Sequence, residues 1–255
     1  MKIFVMNGKK FIGYGFSIIA ISTVFFLANM FTLNVVQTSS NGSRLLPIYN
    51  IETTEKKISL TFDSAWGIED IDNILKTLKD NEVRATFFVL GEWARKYPEV
   101  IKKMVADGHD VANHSDTHPH VTSLSYEKIK EDLKAANKSI EEISGKQNNL
   151  YRAPYGEYND NVIKAATEEG YYTIQWDVDS LDWKDPGKDK IIERVMKKVK
   201  PGSIVLLHNG TKDTANALPE LISKLKAEGY TFAPISEFIY KENYMIDNTG
   251  KQIKK

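Results

Sequence analysis

From residue 57 to about 240 the chain alternates short β-rich runs with helical runs, and this alternation leaves few folds open. The β-rich runs are Lys57–Asp63, Ala85–Leu90, His109–Asn113, Leu150–Ala153, Tyr172–Asp177, Ser203–His208 and Thr231–Ile235. Each is short and rich in β-branched or aromatic residues. Between them lie apolar stripes of helical period at Ile68–Asp80, Glu92–Ala106, Tyr126–Ile143, Asn161–Glu168, Lys190–Lys198 and Leu218–Ala227. Strands that alternate with helices pair in parallel. About seven parallel strands predict an α/β fold, a distorted (β/α) barrel, with an open doubly wound sheet as the alternative. The first strand runs into Phe62-Asp63-Ser64-Ala65-Trp66-Gly67. That is not a glycine-rich phosphate loop, which counts against a nucleotide-binding open sheet.

A second feature precedes the alternation. Phe11–Val36 is almost wholly apolar, and no charged side chain occurs from Phe11 to Ser43. Roughly 20 apolar residues suffice to cross a bilayer. Lys9 and Lys10 stand before the run, so the positive-inside bias predicts a cytoplasmic residue 1–10 segment, a transmembrane helix at 11–36 and an exported remainder. The expected location is the cell membrane, single-pass, with the domain extracytoplasmic. Cleavage of 11–36 as a signal sequence, followed by secretion, is the alternative. Residues 37–56 read as a linker, 57–240 as the domain and 241–255 as a polar tail. Lys+Arg and Asp+Glu are both 34. The four basic residues of 1–44 have no acid beside them, which leaves 30 basic against 34 acidic residues in 45–255. A mildly acidic body argues against nucleic acid as a partner. With no cysteine, disulfides, thiolate metal sites and a cysteine nucleophile are all excluded.

Chemistry collects at the C-terminal ends of the predicted strands, the face on which β/α barrels build active sites. The first strand ends in Asp63. The third runs into His114 and His118, the fourth into Arg152, Pro154 and Tyr155. The fifth is followed by Asp177, Asp179, Asp182 and Trp183, and the sixth ends in His208. Two imidazoles in H-x-x-x-H spacing beside acids suit a divalent metal. Pro119 disfavours a helix at His118, so the pair belongs to a turn. His109 opens a strand, and Asp177 reads as an ordinary loop acid. Trp66 and Trp183 are candidates for stacking on a sugar, whereas Trp93 and Trp176 read as core.

Five ordered motifs then carry a resemblance: Thr61-Phe62-Asp63, His114-Ser115-Asp116-Thr117-His118, Arg152-Ala153-Pro154-Tyr155-Gly156, Asp179-Ser180-Leu181-Asp182-Trp183 and Leu206-Leu207-His208. Residues 57–240 resemble the polysaccharide deacetylases with the NodB homology domain, carbohydrate esterase family 4, and within it the PdaB-type sporulation deacetylases. The resemblance implies metal-dependent hydrolysis of N-acetyl groups on cell-wall glycan, peptidoglycan during sporulation, with zinc as the expected ion. It implies Asp63 as general base, Arg152 as its orienting partner and His114 and His118 as metal ligands. The resemblance further implies Tyr155, beside Pro154, as the source of an oxyanion N–H and His208 as the general acid, tuned by Asp179 or Asp182. It also implies that Trp183 lines the groove.

One position departs from the pattern. Ser64 stands where the family has a second, metal-binding aspartate. A hydroxyl is a neutral and much weaker ligand, and Asp116, His120 or Asp63 are the side chains that could compensate. Two further functions therefore compete: a metal-poor member that binds cell-wall glycan without hydrolysis, and a two-carboxylate glycosidase using Asp63 with Asp179 or Asp182. The glycosidase has no use for His114, His118 and His208.

Overall fold

The computed structural model describes residues 44–255. The segment 11–36, read as a transmembrane helix, lies outside the described residues. Among those described, no helix is long and apolar enough to cross a membrane.

The strands are β1 (Asn50–Ile51), β2 (Lys57–Ser64), β3 (Thr86–Val89), β4 (Asp110–Asn113), β5 (Leu150–Tyr151), β6 (Tyr172–Thr173), β7 (Val178–Asp179), β8 (Ile204–His208), β9 (Thr231–Phe232), β10 (Tyr244–Ile246) and β11 (Lys251–Lys254). The main sheet runs β6-β5-β4-β3-β2-β8-β7, and β9 joins the start of β2 at Lys57 and Ile58. Its pairings are parallel. Parallel neighbours need crossover connections, and the predicted helices supply them.

The edge strands β6 and β7 are consecutive in the chain, joined only by residues 174–177. Such a connection reaches at most roughly 18 Å. In a flat sheet the outermost of seven strands would stand about 29 Å apart. The sheet must therefore curl until its edges approach, and the predicted distorted barrel follows. The incoming chain helps to fill the gap: Ile48 bridges Ile174 in parallel and Asn50 bridges Ser203.

Where the structure differs from the sequence pattern, local chemistry explains it. The predicted strand Tyr172–Asp177 is two short strands, because Arg152 takes the carbonyls of Ile174 (3.4 Å) and Gln175 (3.1 Å). The predicted helix Glu92–Ala106 breaks into Gly91–Lys96 and Pro98–Ala106. Pro98 has no N–H to continue the ladder, and Tyr97 before it is non-helical, with φ −128° and ψ 56°. Residues 37–56 and 241–255, read as linker and tail, supply a small sheet in the order β1-β11-β10. Gln252 is buried there and pairs with the Tyr240 backbone through both amide atoms, at 2.9 and 2.7 Å.

The core lies between the outer face of the sheet and the helices. Phe62 and Phe87 stack at its centre, 5.0 Å apart, against Ile74, Leu78, Ile101 and Leu221. Ser125 and Asn159 cap the helices that follow them, and Gly145 ends one in the left-handed conformation.

Gly202 tests how the N-terminal segment is held. Its φ is +89°, and a Cβ there would lie 1.8 Å from the Ile51 carbonyl oxygen. Gly202→Ala combines left-handed strain with overpacking against backbone. It should lower the unfolding free energy by about 3 kcal/mol, read from urea denaturation.

Candidate active site

The register of the sheet gathers the strand-end residues onto one rim. Asp63 pairs with His208 across β2 and β8, and Asp179 stands beside Leu206 across β7 and β8. Asn113, before His114, pairs with Tyr151, before Arg152. Asp63, His114, His118, Tyr155, Asp179, Trp183 and His208 line one cavity of about 520 Å³, together with Trp66 and Trp176. That volume falls within the range of small-molecule sites.

Arg152 is fully buried and organises the floor. Its Nη1 donates to Asp63 Oδ1 at 2.7 Å, and its other nitrogens donate to the Ile174 and Gln175 carbonyls. The guanidinium stacks on Phe88 at 4.1 Å and faces Trp176 at 5.4 Å. Burial alone would raise the Asp63 pKa. The Arg152 charge, with lesser help from His114 and His208, overrides it and holds the carboxyl below its usual range. Asp63 is therefore an ionised, oriented carboxylate.

A second pair stands across the cavity. His208 Nδ1 and Asp182 Oδ1 are 2.7 Å apart, and the His208 N–H donates to Asp182 Oδ2 at 2.7 Å. Asp182 is fully buried and also accepts from Thr214 Oγ1 and the Trp183 N–H. Burial pulls the His208 pKa down, but the hydrogen bond and charge of Asp182 outweigh it and raise the net value. With Nδ1 engaged, Nε2 is the nitrogen left for the cavity. Of the two candidate tuning acids, Asp182 makes the contact. Asp179 accepts from the Leu181 N–H and acts on His208 only as a minor charge. Asp177 is structural, as expected, accepting from Ile204 N–H and Ser203 Oγ.

His114 donates Nδ1–H to the Arg152 carbonyl at 2.8 Å, and its Nε2 lies 3.6 Å from Asp63 Oδ2. His118 follows in a turn with φ 61°, its ring centroid 5.2 Å from that of His114. Burial pushes the pKa of His114 down and that of His118 down to about 4, so both imidazoles are neutral at physiological pH. Tyr155 has φ 58°, and its N–H takes no part in the turn's backbone bonds, Gly156 to Ala153 and Glu157 to Pro154. Ser115, His118, Tyr155 and Leu181 are all non-glycine residues at positive φ in the rim loops. Strain of this kind concentrates where side chains must be aimed.

The comparisons with known proteins agree with this geometry. The polysaccharide deacetylase family model matches residues 50–174. The peptidoglycan-N-acetylmuramic acid deacetylase PdaA of Bacillus subtilis is 38% identical over 194 residues, covering 74% of each chain. The chain belongs to the polysaccharide deacetylase family. A peptidoglycan-N-acetylglucosamine deacetylase of Bacillus cereus is 35% identical over 75% of this chain and 92% of its own. Among solved structures, BA3943 of Bacillus anthracis, described as a pseudoenzyme of carbohydrate esterase family 4, superposes with a TM-score of 0.74. It is 36% identical, over 82% of this chain and 73% of its own.

The family's metal provides a sharper test. Ser64 is fully buried, its hydroxyl has no partner, and it is not among the cavity-lining residues. None of the proposed substitutes fills its place. Asp116 is bound by Arg95 at 2.7 Å, His120 pairs with Glu157 at 2.8 Å, and neither lines the cavity; Asp63 is committed to Arg152. Among the described residues, no three His, Asp or Glu side chains are placed to share one cation. Two imidazoles remain, and the family's ligand set is incomplete. Sequence reasoning also missed Thr214, the buried partner of Asp182, and it assigned Trp176 to the core, whereas its half-buried ring lines the cavity.

Two outcomes follow. Arg152→Leu leaves Asp63 buried without its counter-charge and should destabilise the domain by about 3–5 kcal/mol, read from urea denaturation. Asp182→Asn removes the charge that favours imidazolium. The His208 titration should move to lower pH, measured by NMR of the ring protons, and the alkaline limb of any pH–rate profile should move with it.

Proposed function

We propose that the domain is an N-deacetylase of cell-wall glycan, acting on N-acetylated peptidoglycan. The observation that carries this reading is that two complete acid–base pairs, Arg152–Asp63 and His208–Asp182, face one cavity. Asp63 accepts a proton from water as the water oxygen bonds to the amide carbonyl carbon. The Tyr155 N–H, which takes no part in the turn's backbone bonds, would receive the developing oxyanion. His208, kept protonated toward neutral pH by Asp182, gives a proton to the sugar nitrogen as the C–N bond breaks, releasing acetate and a free amine. A glycosidase reading employs the carboxylates but leaves His208 and the histidine turn without a task.

Turnover is held low because no carboxylate occupies position 64. A single oxyanion donor contributes about 3–4 kcal/mol to a transition state, far less than a Lewis acid and a donor together. A second reading, glycan binding without hydrolysis, is favoured by the same residue and by the likeness to a pseudoenzyme. The Lys-flanked apolar run at 11–36 supports a place at the outer face of the cell membrane, and the resemblance to PdaB-type proteins supports a role in spore peptidoglycan.

Acetate release from N-acetylated peptidoglycan, measured with zinc present, separates the readings. Wild type should exceed Asp63→Asn, and Ser64→Asp should raise release by at least about tenfold while taking up zinc stoichiometrically. Glycan binding with acetate release no greater than that of Asp63→Asn would establish the second reading.

A further inference from the structure

Among the described residues the exposed large hydrophobic side chains are Trp66, Tyr155, Trp183 and Met245, and the first three stand on the rim of the same cavity. Tyr155 and Trp183 belong to motifs already given a task. Trp66 does not. It is the most exposed of the four at 64%, whereas Trp93 is 2% exposed and uses its indole N–H to hold the Gly67 carbonyl.

The exposure of Trp66 is not that of a loose loop. Asn209, which follows His208 directly and is buried, donates from Nδ2 to the carbonyls of both Trp66 (3.2 Å) and Gly67 (3.1 Å). The Gly210 N–H donates to Asp70 at the far end of the same loop, at 2.8 Å. Gly210 sits close enough that a Cβ would lie 2.9 Å from the Trp66 carbonyl oxygen. The Trp66 backbone is thus tied to the strand that carries the catalytic acid. The indole meets the His118 ring at a steep angle, with centroids 5.0 Å apart, and remains mostly open to solvent. A rigid backbone that holds an indole in water exposes apolar surface which folding would otherwise bury.

We propose that Trp66 is a sugar-stacking subsite, binding a pyranose ring of an N-acetylated aminosugar oligomer beyond the ring whose acetyl group lies between Asp63 and His208. The inference rests on the glycan reading above and goes further, because it makes chain length a determinant of binding. The apolar C–H face of a pyranose suits the electron-rich face of an indole. The concave, histidine-bearing wall beside Trp66 favours a glycan over a flat lipid surface.

The test is calorimetric titration of the full-length protein with the dimer and the tetramer of β-1,4-linked N-acetylglucosamine. Trp66→Ala should weaken tetramer binding about tenfold and change dimer binding less than twofold, and Trp66→Phe should recover most of the loss. Unchanged tetramer binding in Trp66→Ala, or an equal loss for dimer and tetramer, overturns the subsite while leaving the deacetylase reading intact. If wild type binds neither oligomer and releases no acetate, both fall.

Discussion

The buried ion pair between Arg152 and Asp63 is the interaction on which the rest of the site depends. A guanidinium taken wholly out of water is tolerated only when its charge is matched and its remaining donors are used. Here one nitrogen meets the carboxylate, two others meet main-chain carbonyls between β6 and β7, and the rings of Phe88 and Trp176 lie 4.1 and 5.4 Å from its central carbon. The carbonyls it takes belong to the connection that brings the sheet's two edges together. One side chain therefore orients Asp63 and secures the seam of the curled sheet.

Around that pair the site is assembled from loops with little freedom. His114 hangs from the carbonyl of Arg152 itself, so the first imidazole is indexed to the residue that holds Asp63. His208 is indexed to Asp182 by two hydrogen bonds, and Asp182 is fixed in turn by Thr214 and the Trp183 N–H. The groups that would move protons are thus more completely supported than those that would hold a cation. The likeness to named deacetylases and to a named pseudoenzyme is consistent with a site of this mixed character.

Much of this was legible in the sequence because a parallel strand places its last residues on the catalytic rim. Asp63, His114, Arg152 and His208 each stood at the end of a β-rich run, and the structure brings all four together. The choice of Asp182 over Asp179 was not legible. Both acids fall within five residues of the predicted strand's end at Asp177, and the αL turn at Leu181 that separates them has no glycine to announce it. Thr214 was invisible because nothing in a threonine opening a helix points 32 residues back to an aspartate. The strands β10 and β11 were hidden in a polar stretch whose one signal was the Asp247–Gly250 turn, and the split of β6 from β7 follows from a side chain that comes from another strand.

Because Arg152 holds both the seam of the sheet and Asp63, a lineage that stops needing hydrolysis cannot readily discard it. Drift at position 64 touches one small residue, whereas drift at 152 unseats a main-chain junction. Descendants that fall silent would keep their proton-handling apparatus in working alignment for structural reasons alone, and a single substitution could return them to service.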